Sequence, residues 1–269
     1  MAGIRIGLIG CGRIGKSLAA FIDKEDGLQL SWVFDLDEKK ARELLKKVRK
    51  KPMAAKSFDE MTECDLFIEA ANRDAVREYA EKALERADLM VISSAAFLDR
   101  ELYDKVVLKS SQTGKRLYLA SGAAAGLDGI RAAAVGSLGS VTITLRKPPQ
   151  ALEGSPYVIT KEISTRSIRK PTVIFDGSIS EAAEWFPENL TAAIALTLGW
   201  ESANKIRVRM IADPFAKMAS NEIEAEGAFG RMRTVTEYPL AHDASVPSLD
   251  AASAIAALKG IKGRMVIGT

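Results

Sequence analysis

From residue 4 to about residue 150, short apolar runs rich in β-branched residues alternate with amphipathic stretches. The runs read IRIGLIG (4–10), LQLSWVFD (28–35), DLFIEAA (65–71), DLMVISSAAF (88–97), RLYLASGA (116–123) and SVTITLRK (140–147). Between them GKSLAAFIDK, DEKKARELLKKV, RDAVREYAEKALERA and DRELYDKVVLKS carry their apolar residues at helical spacing. Strands without a wet face, separated by helices, imply βαβ units around a parallel sheet. The punctuation agrees: Asp37 can cap the second helix, Pro52 follows its end, and Gly114 stops the fourth before Arg116 opens a strand.

Beyond residue 150 the texture changes. KPTVIFDG, KIRVRMIAD, NEIEAEGAFG and RMRTVTEYP alternate apolar and polar positions, with GAFG a hairpin turn, which predicts a largely antiparallel sheet with one wet face. Two helices, SEAAEWF and NLTAAIALTLGW, are expected to interrupt it. SLDAASAIAALKGIKG reads as a final helix that could return to cover the first domain.

The first strand runs into Gly10-Cys11-Gly12-Arg13-Ile14-Gly15 and then directly into a helix, and Asp35 ends the second strand 20 residues past Gly15. In that setting the glycine pattern is the fingerprint of a dinucleotide-binding Rossmann domain. Gly10 permits the tight turn, Gly12 lets the backbone approach a pyrophosphate, Gly15 allows close helix-to-strand packing, and the N–H groups of the helix start face the phosphates. Asp35 can accept hydrogen bonds from the adenosine ribose and repel a 2′-phosphate, favouring NAD over NADP; Lys39 and Lys40 are near enough to soften that preference. Further cofactor contacts are expected at the carboxyl ends of later strands, Glu69-Ala70-Ala71-Asn72, Ser93-Ser94-Ala95 and Ser121-Gly122-Ala123, with Ala70, Ala71, Ser94 and Ala123 foremost. The expected fold is therefore α/β: a doubly wound Rossmann domain over residues 1–120, an α+β domain over 121–247, and a last helix within 248–269 packing back on the first.

With 269 residues the chain can bury full cores without disulfide or metal staples. Its composition, 47% hydrophobic and 27% charged, excludes a disordered chain, and no apolar run reaches the roughly 20 residues that span a bilayer. The start, MAGIRIGLIG, lacks the pattern of a signal peptide and points to the cytosol. Net charge is only +3 with both signs interspersed, which leaves little case for nucleic acid; the densest basic run, 46–51, suits the negative end of a helix dipole. Cys11 and Cys64 stand in settings that favour neither a disulfide nor a metal site.

These segments resemble the L-aspartate dehydrogenase family. The resemblance runs through GLIGCGRIG, DLFIEAANRDAVREYAEKAL, SGAAAGLDGIRAA, VTITLRKPP, FDGSISEAAEWFPENLTAAIAL, IADP and NEIEAEG, with SGAxxGLD and the FPxN segment more specific than the glycine turn. It implies oxidation of L-aspartate to iminoaspartate with NAD or NADP, a product that can enter NAD biosynthesis, and a homodimer whose second domain closes over the nicotinamide. It also implies that Ala123 and Asn189 lie against the cofactor, a role compatible with Asn189 simply capping a helix. One departure stands out. The family pattern N-x-H-E-I places a catalytic histidine where this chain has Asn221, in Met218-Ala219-Ser220-Asn221-Glu222-Ile223, as an introduced substitution or a natural divergence. The single histidine, His242, lies in the loop TEYPLAHDASVP and is either its replacement or a solvated loop residue.

Amine oxidation needs a neutral amine and a group to manage its proton; imidazole titrates in the right range and an amide does not. Lys217, Glu222 and His242 are the candidates to supply what Asn221 cannot. Arg146 and Lys147, and after them Lys170, could hold the substrate's carboxylates, or be solvated strand ends. Two other readings stay open: a catalytically silent NAD-binding sensor, and a related reductase for another acid or imine. The dihydrodipicolinate-reductase kind shares the domain plan, but its basic-histidine motif is missing here.

Overall fold

In the computed structural model, residues 3–186, 190–199, 206–240 and 246–263 are described. The chain divides into two units, Met1–Gly122 with Ser245–Ile267, and Ala123–Ala244 with Gly268–Thr269.

The first unit is built on a parallel sheet of β1 (Ile4–Ile9), β2 (Leu28–Phe34), β3 (Met53–Ala54), β4 (Leu66–Glu69), β5 (Asp88–Val91) and β6 (Leu117–Leu119), in the order β3-β2-β1-β4-β5-β6. The crossovers are α1 (Arg13–Ile22), α2 (Glu38–Leu45), α3 (Arg73–Leu84) and α4 (Arg100–Thr113). Their ends follow the local chemistry. The Asp37 carboxylate accepts from the Lys39 N–H at 3.0 Å to start α2, and Gly114, with φ of 67°, closes α4 in the left-handed region. All four residues of β4 are buried, as a central parallel strand covered on both faces requires. The run DLMVISSAAF is strand only as far as Val91; a 3₁₀ turn over Ser94–Leu98 follows, where small residues give way to Phe97 entering the core.

Within this same unit lies the last helix of the chain, Leu249–Lys262. Its Ala254 and Leu258 share a buried cluster with Ile6, Leu8, Leu18 and Ile22, and Lys262 reaches Glu25 at 2.5 Å. The Ser253 hydroxyl accepts from the Gly122 N–H at 3.0 Å, tying the helix to the chain just past β6.

The second unit contains a mixed sheet. β7 (Leu138–Lys147), β8 (Thr172–Ser178), β9 (Ile206–Ala212), β10 (Met218–Gly227) and β11 (Gly230–Pro239) stand in the order β11-β10-β7-β9-β8. The β7–β9 pair is parallel and the other neighbours antiparallel. The run SVTITLRK, which continues the βαβ pattern in sequence, is thus the centre of this second sheet. Its alternating burial, unlike the solid burial of β4, marks a strand with one wet face. The two helices expected here are present, α7 (Ile179–Trp185) and α8 (Thr191–Gly199), α7 opened by a capping box between Ser178 and Glu181. Among the described residues two more join them: α5 (Leu127–Ala134), which starts at Gly126 with φ of 86°, and the five-residue α6 (Pro156–Thr160). The final helix is then α9.

Candidate functional site

In the first unit the chain turns outward in opposite directions from β1 and β4, and at such a switch point the crevice beyond the strand ends receives ligands. A cleft of about 500 Å³ lies there, lined by Gly10, Gly12, Asp35, Ala70, Asn72 and Tyr79 among others. Gly10 has φ of +98°, and a Cβ on it would stand 2.7 Å from the backbone of Ala70 and Ala71, so both conformation and space demand glycine. A Cβ on Gly15 would come within 2.0 Å of the Gly10 carbonyl oxygen, so the closest packing of this helix residue is against the glycine turn, with Leu8 of β1 farther off at 3.7 Å. At Gly12 nothing lies within 4 Å of that position. The backbone is open there, at the start of a helix whose N-cap offers no side-chain hydrogen bond. The first amides of α1 are left for an anion, so the cradle fits a pyrophosphate. Arg13 is exposed on this first turn, while Ile14 packs against the core.

Asp35 sits where the spacing predicts, and its carboxylate also shapes the turn. One oxygen accepts from the Cys11 N–H at 2.7 Å, the other from the Asp37 N–H at 2.9 Å. Lys40 lines the same cleft together with Asp37, Asp74 and Glu78. Both cysteines are free and buried; burial, with Asp35 adding, raises the Cys11 thiol to about 12, which leaves it inert as a nucleophile.

Two of the expected strand ends are joined by a side chain. Glu69, 2% exposed, closes β4 and accepts from the N–H groups of Ala71 (2.8 Å) and Ser93 (3.0 Å) and from the Ser93 hydroxyl (2.9 Å). Burial pushes this carboxyl above its ordinary range, opposed by those N–H donors. The signal available in sequence was a lone acid inside the apolar run LFIEAA. Asn72 caps α3, its side-chain oxygen accepting from the Ala75 N–H at 2.9 Å. Ser94 is buried, and its hydroxyl has no partner in the structure.

Ala123 belongs to the second unit and is half-buried. Asn221 is 5% exposed on β10, on the buried face with Ala219, Ile223 and Ala225, and its side-chain oxygen accepts from the Tyr238 hydroxyl at 3.3 Å. Register separates the residues grouped around it by sequence. Asn221 pairs with Leu145 and Ser220 with Arg146, so Lys147 shares the Asn221 face while Arg146 lies on the opposite one. Arg146 is held there by Asp213 at 2.8 Å, beside a groove of about 420 Å³ that also takes in Lys217, Ser220 and Glu237. Arg146 and Lys147, the two candidates for the substrate's carboxylates, thus lie on opposite faces of the sheet, because neighbours along an extended strand point apart. Glu222 is on the Arg146 face as well, and the Arg233 guanidinium, at 2.7 Å, holds its carboxyl below the usual range. Glu222, paired there with Arg233, thus faces away from Asn221. Lys170 is exposed just before β8, and Asn189 and His242 lie outside the described residues. Tyr238 was not picked out in sequence; its place beside Asn221 depends on the β10–β11 hairpin register.

A glycine turn open to phosphate, an acid at the end of β2 and a strand-end crevice define a nicotinamide-dinucleotide oxidoreductase, here joined to a mixed-sheet unit. Residues 10–120 match the model of the homoserine dehydrogenase NAD-binding domain, and residues 128–261 match the model of the aspartate dehydrogenase C-terminal domain. An L-aspartate dehydrogenase of Methanosarcina barkeri is 37% identical over 99% of this chain and 100% of its own length, and one from Nitrosopumilus maritimus is 34% identical over 95% of each. The chain belongs to the L-aspartate dehydrogenase family. Its fold is similar to the crystal structure of aspartate dehydrogenase from Thermotoga maritima, with a TM-score of 0.76 and 22% identity over 98% of this chain and 99% of that one.

Proposed function

We propose that this protein oxidises L-aspartate to iminoaspartate, passing the Cα hydrogen as hydride to NAD and releasing a proton. The imine then hydrolyses to oxaloacetate and ammonia or enters NAD biosynthesis, and the enzyme works as a cytosolic homodimer. What carries the reading is the built dinucleotide cleft in a chain that matches L-aspartate dehydrogenases along 99% of its length. NAD, when bound, supplies the hydride acceptor.

The chain's own residues do the rest. Gly12 and the first amides of α1 receive the pyrophosphate charge, and Asp35 accepts from the adenosine ribose while still anchored by the Cys11 and Asp37 amides. The acids Asp35, Asp37, Asp74 and Glu78 around that end disfavour a 2′-phosphate, with Lys40 as a counterweight lining the cleft. In the second unit Asn221 stands in the place of the family histidine and Lys147 is the cation on its face. Asn221 can hydrogen-bond a substrate but does not titrate, so a proton-transfer contribution of roughly 10²- to 10⁴-fold is absent and positioning sustains a slow reaction.

NADH formation from L-aspartate at mildly alkaline pH, compared between this protein and Asn221→His, tests the reading. A gain of about 100-fold or more on restoring histidine is expected. If neither protein turns over aspartate while both bind NAD, the substrate assignment falls and the sensor reading replaces it.

A further inference from the structure

A carboxylate at the end of a central parallel strand is costly unless hydrogen bonds compensate its lost hydration. Glu69 meets that condition with neutral donors from two separate segments. The Ala71 amide belongs to the turn leading into α3, and the Ser93 amide and hydroxyl belong to the turn after β5. The two turns are neighbours because β4 and β5 pair in parallel, Glu69 opposite Val91. One side chain thus ties them together across 24 residues of sequence.

The bridge bears on the cleft from both sides. The turn it holds at Ala70 and Ala71 is the same backbone that approaches Gly10 so closely that a Cβ there would be 2.7 Å away. The turn it holds at Ser93 continues into Ser94, whose buried hydroxyl is left without a partner. Asp35 marks the β2 side of the switch point as the adenosine end, so a dinucleotide crossing the switch point lays its other half over the ends of β4 and β5.

We propose that Glu69 is a positioning residue for the nicotinamide half of NAD, holding the turns after β4 and β5 at the spacing that half requires. The proposal rests on the reading that this cleft binds NAD. Gln at this position keeps the shape but turns one acceptor into a donor facing donors; the Ala70–Ala71 turn backs Gly10 and serves both halves, whereas the turn at Ser93 does not line the adenosine end of the cleft.

The test is calorimetric titration of full-length wild type and Glu69→Gln with NAD and with ADP, which fills only the adenosine end, together with thermal melting of each. The expected result is an NAD affinity about tenfold or more weaker in the variant, with a distinctly smaller loss for ADP, which reaches the Ala70–Ala71 turn but not the turn at Ser93. Loss of both ligands in parallel would show a general structural role and overturn the proposal, as would unchanged NAD binding. If Glu69→Gln does not fold, Ser93→Ala, which removes one hydroxyl donor from the bridge, is titrated instead. It should show the same NAD-selective loss at smaller size, and no loss or a parallel loss would count against the proposal. Wild type that fails to bind NAD at all would sink the NAD reading itself, an outcome distinct from a variant that binds as well as wild type.

Discussion

The two units place chemistry by different means. In the first, the central strand β4 is buried on both faces and the cleft is made mostly of backbone: glycines at 10, 12 and 15, the amides of a helix start, and turns held by the carboxylates of Asp35 and Glu69. In the second, β7 and β10 alternate buried and solvated positions, and what a residue can do depends on which face it occupies. Asn221 and Lys147 fall on one face, and Arg146, Glu222 and their ion-pair partners on the other. Such a site tolerates almost no change of residue at Gly10 or Gly15, where a Cβ would meet backbone. A wet sheet face tolerates many, because its charges are paired in water and contribute little each.

That contrast can be broken in graded steps. Within the second unit, Ile143→Ala on the buried face should cost about 2–5 kcal/mol by cavity formation, against less than about 0.5 kcal/mol for Thr142→Ala on the wet face, both read from urea unfolding. Equal costs would mean the two faces are not distinct. In the first unit, Gly15→Ala must push a methyl against the Gly10 carbonyl. It should destabilise by about 1–3 kcal/mol and abolish measurable NAD binding, checked by melting and calorimetry. A folded, NAD-binding Gly15→Ala protein would refute the backbone account of the cleft.

Asp35→Ala should weaken NAD by about tenfold and shift the preference toward NADP, since it removes a ribose acceptor and a negative charge together. Unchanged affinities for both would mean the adenosine ribose lies elsewhere. The smallest effect belongs to the wet face. Glu222, kept ionised by Arg233, adds stability above the ordinary glutamate range that is lost as pH falls through its lowered folded value. Arg233→Ala should therefore leave the neutral-pH urea midpoint nearly unchanged and flatten the acid limb slightly; a large loss at neutral pH would show that this pair does more than share a solvated surface.

Much of this was legible in the chain itself. The spacing of Gly10, Gly12, Gly15 and Asp35, the caps at Asp37 and Gly114, the GAFG hairpin and the alternation in β10 are set by near neighbours: steric limits on φ, turn chemistry and side-chain period act over a few residues. Partnership across the fold was not legible. Glu69 finds Ser93 only because β4 and β5 pair, and Tyr238 meets Asn221 only through the β10–β11 register. SVTITLRK continues the βαβ rhythm in sequence yet pairs with β9 and β10. A strand's period says which residues share a face, but which strand lies beside it is settled by the burial available over the whole chain, and that choice belongs to the tertiary structure.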